Sequence, residues 1–172
     1  MIAKSILVTA SCLAFGSVCL PAQTAKVSAA DKQFLKTAAD ANMTEAHLGE
    51  MAQAQASTQA VKDFGKTLAQ DHATEYEQLS GVAGKTGETI PKGINVGRDR
   101  AIVRLMHMKG RSFDQSFLRD AIQDERRTIA KFQREARHGD NPAIKAYAQQ
   151  IVPTLQQHVH AAEELEKPAK RS

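Results

Sequence analysis

From Asp31 to Leu165 the apolar residues return at steps of three and four along the chain, which is the period of an α-helix. Four such stripes can be written out. The first is Phe34, Ala38, Ala41, Leu48 and Ala52; the second is Val61, Gly65, Leu68, Leu79 and Val82. The third is Leu118, Ile122, Ile129, Phe132 and Ala136; the fourth is Ile144, Ala148, Ile151, Leu155, Ala162 and Leu165. A one-sided stripe is buried only when other helices cover it, so four long stripes in one chain demand a helical bundle. Each stripe is broken near its middle by a residue that does not belong in oil: Glu45, then His72 with Glu75, then Glu125, then His158.

The local signals divide the chain accordingly. A capping-box-like Ser28–Asp31 pair predicts a helix over about 31–56. A second helix over about 58–83 follows so closely, with only a few residues near Ser57, that the two must form an antiparallel hairpin. Gly49 and Gly65 stand eight residues either side of Ser57 and predict close backbone approach near the hairpin tip. Residues 84–97 have loop composition, with glycines and a proline. A short amphipathic helix over about 98–109 carries Ile102, Leu105, Met106 and Met108 and is stopped by Gly110. Ser112 and Gln115 read as a capping box for a third long helix, about 113–138, which Gly139 ends. Asn141 as cap and Pro142 at the first position start a fourth, which runs to about Lys167 through Pro153. A chain of 172 residues with 28 alanines and no tryptophan suits packed helices. The fold class expected is all-α: a ferritin-like four-helix bundle with a long crossover carrying a short extra helix. A crossover of this length predicts that the second and third long helices run parallel.

The N-terminus has a different character. Lys4, an apolar run from Ile6 to Leu20, Pro21 and then small residues read as an export signal over residues 1–29, with cleavage after Ala22, Ala25 or Ala29; an uncleaved anchor is the alternative. The domain then spans 30–167 and a short tail 168–172. Both cysteines, Cys12 and Cys19, lie in the signal, so disulfides and thiolate chemistry are excluded from the mature chain. The expected location is the periplasm or cell envelope, and nothing beyond the signal is apolar and long enough to span a bilayer. The net charge of +4 is too weak a field for a nucleic-acid partner. Arg119, Arg126, Arg127, Arg134 and Arg137 form a basic outer face, read as solvated, with contact to an anionic envelope polymer as the alternative. No glycine-rich phosphate loop and no serine or cysteine nucleophile arrangement stands out.

The five interrupting residues carry the chemistry. A buried charge without a partner is too costly to keep. Mid-helix positions on four helices meet in one layer, where Glu45, His72, Glu75, Glu125 and His158 can ligate a cation or satisfy one another. Carboxylates mixed with imidazole suit Fe, Mn, Zn or Cu; His–Glu ion pairs would give the same pattern with no metal. Di-metal ferritin-type sites repeat Glu-x-x-His, whereas here the order is His72-x-x-Glu75, and His158 is followed by Ala161 and Ala162. Asp71 and Asp124, in the strings LAQDH and AIQDE, read as outer partners of the layer or as half-exposed residues. His47, His107, His138 and His160 fit no stripe and are assigned to the surface. Met106 and Met108 beside His107 read as a core face rather than a copper site.

At family level the chain resembles the bacterial domain-of-unknown-function 4142 family, exported proteins often labelled outer membrane proteins and regarded as ferritin-like. The strings DKQFLKTAADANMTEAHLGEMA, VKDFGKTLAQDHATEYEQL, SFDQSFLRDAIQDE and AIKAYAQQIVPTLQQHVHAAEEL carry the resemblance over about residues 31–165. It implies Glu45, His72 and His158 as recurrent polar positions. The chain departs at Glu125, where the family pattern more often has His. The expectation is an exported envelope protein that binds a transition metal in its core; the alternative is a non-catalytic envelope stress or interaction protein with a metal-free polar layer.

Overall fold

The structure is a computed structural model describing residues 25–94 and 99–167. Lys4, the apolar run, Pro21, Ala22, the two cysteines and the tail from Pro168 lie outside the described residues, as does part of the crossover loop.

Five helices follow in order: α1 (Ala29–Gln55), α2 (Gln59–Lys85), α3 (Arg100–Met106), α4 (Gly110–His138) and α5 (Pro142–Glu166). The expected all-α bundle is present. Ser28 closes the capping box with Asp31, Thr58 caps α2 and Asn141 caps α5, with Pro142 in its first turn. Helix α5 runs unbroken through Pro153. Two elements are corrected. Helix α3 spans Arg100–Met106, short of the expected 98–109 at both ends, and Gly110 does not directly stop it. Helix α4 begins at Gly110, three residues earlier than expected, and its cap position, Lys109, makes no side-chain cap. The Ser112 hydroxyl donates to the Lys109 carbonyl instead of capping an N–H. Gly110 can occupy this place because its φ of +64° carries no steric cost without a Cβ.

Two apolar clusters show how the helices run. One joins Leu48 and Met51 at the end of α1, Val61 and Phe64 at the start of α2, Phe113 and Phe117 at the start of α4, and Ala162 near the end of α5. The other joins Phe34 and Leu35, Leu79 and Ala83, Phe132, and Ile144 and Tyr147. Helices α2 and α4 therefore start at the same pole and run parallel, as the crossover length requires. Helix α3 inserts Ile102 and Leu105 fully into the first cluster. Met106, expected in that core face, is 52% exposed, because a helix of seven residues presents only one narrow face.

Close approach within the first hairpin is real. A Cβ on Gly49 would fall 2.5 Å from the Gly65 carbonyl oxygen, and one on Gly65 would fall 2.7 Å from that of Gly49.

Each hairpin also locks the other's link. Asp114 in the first turns of α4 accepts from Ser57 N–H (2.8 Å), the Ser57 hydroxyl (2.7 Å) and Thr58 N–H (3.2 Å). At the other pole Asp31 accepts from Asp140 N–H (3.0 Å) and Asn141 N–H (3.2 Å). The surrounding sequences match: Asp31-x-x-Phe34-Leu35-x-x-Ala38 and Asp114-x-x-Phe117-Leu118-x-x-Ala121. Asp114 follows Asp31 by 83 residues, and the cap Asn141 follows the cap Thr58 by the same interval. The two hairpins are thus equivalent halves placed head to tail, and the polar layer lies between their two clamps.

Candidate metal centre

All five predicted site residues are buried: Glu45, Glu75 and His158 are 3–4% exposed, Glu125 1% and His72 0%. They do not all converge. Oε1 of Glu125 lies 3.1 Å from Nε2 of His72 and 2.8 Å from Nδ1 of His158. The two imidazole rings stand 5.2 Å apart, centre to centre. Among the described residues, His72, Glu125 and His158 are the one group of three whose ligand-type atoms all lie within 4.8 Å of one another. Glu75 sits behind His72, with Oε2 3.3 Å from Nδ1, on the side of the ring away from Glu125. Glu45 is buried on α1 and is not part of the converging triad.

The outer nitrogens are also held. Asn42 donates from Nδ2 to the Tyr147 hydroxyl (3.2 Å), which donates to the Glu75 backbone carbonyl (3.1 Å). That arrangement leaves Oδ1 of Asn42 facing Nδ1 of His72 at 3.2 Å, and an amide oxygen only accepts. Nδ1 of His72 therefore carries a proton. Nε2 of His158 faces Oδ2 of Asp71 at 2.9 Å. Asp71 is both things the sequence allowed: its side chain is 41% exposed, and it orients the buried ring. Asp124 instead pairs with Arg127. His107, His138 and His160 are exposed and His47 half-buried, as assigned.

Charges alternate across this layer: Glu75, His72, Glu125, His158, Asp71. Burial works against a charged His72, but Glu125, by hydrogen bond and charge, and the Glu75 carboxylate 3.3 Å from Nδ1 outweigh it and raise its pKa to about 10. The His158 ring is raised for the same reason, by Glu125 and then Asp71, against its burial. Burial pushes the Glu125 carboxyl upward, yet the hydrogen bonds from His158 and His72 hold it below the ordinary carboxylate range. Glu45 has no such donors. Burial first, and then the charge of Glu125, raise it well above that range.

The layer is short of positive partners. Glu45 Oε2, both oxygens of Glu75 and Glu125 Oε2 are buried with no hydrogen bond. Orphaned carboxylate oxygens are rare in protein interiors, and each calls for a specific cause. The donor set present, two imidazoles and one carboxylate with further carboxylates beside them, fits a transition-metal ion. The remaining ring nitrogens already have the acceptors that metal-bound histidines use to fix their orientation.

The sequence pattern of the family described as Domain of unknown function (DUF4142) matches residues 18–165. The chain belongs to this family. No curated protein matches the chain. Among solved structures, the crystal structure of a DUF305 fragment from Deinococcus radiodurans is similar, with a TM-score of 0.71 at 14% identity, covering 81% of this chain and 97% of that one. At that identity the likeness shows the fold alone. The family's description names no activity, so the reading of the site rests on its geometry.

Asn42, Tyr147 and the Asp31 and Asp114 clamps were not singled out from sequence. The clamps had a signal, the repeated Asp-x-x-Phe-Leu-x-x-Ala string. Asn42 had a weaker one, lying three residues before Glu45 at helical spacing.

Proposed function

We propose that the protein binds one transition-metal ion, of the Fe, Mn, Zn or Cu class, through Nε2 of His72, Nδ1 of His158 and the Glu125 carboxylate. The observation that carries this reading is the convergence of those three ligand atoms in a layer where four carboxylate oxygens have no hydrogen-bond partner. Ion binding would take one proton from each of the two facing nitrogens, while Nδ1–H of His72 stays on Asn42 and Nε2–H of His158 stays on Asp71. Three protein ligands would leave open positions on the ion, which is the arrangement that supports redox or substrate chemistry. Glu45 and Glu75 are neighbours of the ion in this reading: Glu75 acts through His72, and Glu45 balances charge from the α1 side. The experiment is elemental analysis of protein purified without added metal or chelator. Near-stoichiometric metal in the wild type and none in His158→Ala is the expected result; equal, trace metal in both would overturn it.

A second reading has its own support. All four ring nitrogens already face acceptors, so the layer is also a closed set of ion pairs, as a metal-free interaction protein of the envelope would need.

We further infer export, with cleavage after Ala22. The Ala25 carbonyl accepts from Asn141 Nδ2 at 2.7 Å, Ser28 caps α1 and Val27 packs on the core. Cleavage after Ala29 would discard all three contacts. Mass spectrometry of native protein should show an N-terminus at Gln23.

A further inference from the structure

A cleft borders the layer on the α1–α4 side. It has a volume of about 190 Å³ and is lined by Asp40 and Thr44 of α1, Asp99 before α3, and Asp124, Thr128 and Arg127 of α4, with Glu45 among its walls. Glu45 is the feature that makes this more than an acidic patch. Its side chain is 3% exposed, its Oε2 is buried without a partner, and it lines the cleft. The charges acting on it come from two directions: Glu125 and His72 in the core, Asp124 and Asp99 in the cleft. It is therefore the residue that both spaces share. A second opening, of about 450 Å³ between α1 and α2, reaches His72 past Met43, Ala46, Ala73 and Ile94. It is the more apolar of the two, although His47, Glu50 and Glu77 also line it, the first two paired with each other.

The cleft's ligand chemistry differs from that of the core. It offers carboxylates and hydroxyls and no imidazole, a set that suits hard divalent cations. Its carboxylates do not converge as the core triad does, since only that triad meets the 4.8 Å limit among the described residues. An ion there would keep much of its water. Arg127 is engaged by Asp124, and Lys131 stands at the rim, so four carboxylates face two cationic side chains.

We propose that this cleft is a second cation site, an all-oxygen subsite for a hydrated hard divalent ion with Glu45 as its innermost ligand, and that ions pass through it to the core. The passage role rests on the core reading; the subsite does not.

The test uses Mn²⁺ as probe and the full chain with His72→Gln and His158→Gln, which removes both core imidazoles. Paramagnetic broadening of the Thr44 and Thr128 amide signals is followed in NMR spectra as Mn²⁺ is added. These signals should broaden first. Adding Glu45→Gln, which keeps the side chain's shape, should raise the Mn²⁺ concentration needed at least tenfold. No selective broadening, or broadening untouched by Glu45→Gln, would overturn the subsite whatever the core binds. If the doubly substituted chain does not fold, wild-type protein preloaded with Zn²⁺ replaces it, with the same expected and contrary results. The route is tested in the wild type by Co²⁺ uptake. Asp40→Asn with Asp99→Asn, which alters the cleft and leaves the core layer intact, should slow loading and release by one factor and leave final occupancy unchanged. Unchanged rates would refute the route and leave the subsite standing, and absence of Co²⁺ from the wild-type core would refute the core reading and the route together.

Discussion

The molecule buries carboxylates in two ways, and the contrast separates structure from chemistry. At the poles Asp31 and Asp114 are saturated by backbone N–H groups of the opposite hairpin's link. Those donors are fixed by the fold and cannot be exchanged for an ion without undoing a helix start. In the middle, Glu125 is held by two side-chain imidazoles, and its neighbours Glu45 and Glu75 keep orphaned oxygens. Imidazoles can surrender a proton and take a metal in its place. The poles are clamps, although Glu135 beside Asp31 also keeps one orphaned oxygen; the layer is the part that we propose exchanges protons for an ion.

The largest expected effect is at the layer. Glu125→Leu leaves two buried imidazolium rings without their shared counter-charge, and breaking a buried pair in this way costs on the order of 3–5 kcal/mol. Asp114→Ala strands the Ser57 and Thr58 donors at the first clamp. These are partly exposed, so the loss should be smaller, about 1–3 kcal/mol for donors left unpaired. Urea midpoints of the two variants compare the regions directly; a clamp loss exceeding the layer loss would reverse their order of importance.

Acidity separates the regions again. Glu135 lies beside Asp31 at the second clamp, and burial followed by the hydrogen bond and charge of Asp31 raises it from 4.5 to about 7. Between those values the folded chain holds a proton that the unfolded chain has lost, so stability falls as pH rises from about 4.5 to 7. His72 is raised from 6.5 to about 10. Its contribution is complete below about 6.5 and is lost as pH rises through about 10. The metal-free protein should therefore show a melting temperature that declines over two windows. Glu135→Gln should lessen the lower decline, which Glu45 shares, and His72→Gln the upper one, which His158 shares. A single decline that neither substitution alters would dissolve the distinction.

The stripes carried most of this architecture, because a 3–4 period demands a partner face and a connection of 24 residues between α2 and α4 demands a crossover. They carried less of the site. One stripe per helix is too narrow a reading when each long helix touches two others. Helix α1 buries Leu35, Ala39, Asn42 and Gly49 beside Phe34, Ala38, Glu45 and Leu48. Asn42 lies on that added face, so its role behind His72 escaped notice. The separation of Glu75 from the triad was illegible for another reason. Spacing of three places His72 and Glu75 on one face, but only the ring's orientation decides which nitrogen Glu75 meets. The clamps needed comparison between the two halves of the chain rather than along either.

The smallest effect expected is at the basic face of α4. Arg126 pairs with Glu163 while 62% exposed. Exposed pairs of this kind contribute about 0–1 kcal/mol, so Arg126→Ala should leave the urea midpoint nearly unmoved. A loss comparable to that of Asp114→Ala would mean that this face is more than a solvated surface.

The central claim, that the layer exchanges protons for a metal ion, is tested most directly by anomalous diffraction from crystals of metal-loaded protein. The account predicts one strong peak among His72 Nε2, His158 Nδ1 and Glu125, at about 2.0–2.2 Å from each ligand atom for an ion such as zinc. Peaks confined to the exposed histidines, His107, His138 or His160, with Glu125 still bridging the two rings, would contradict it.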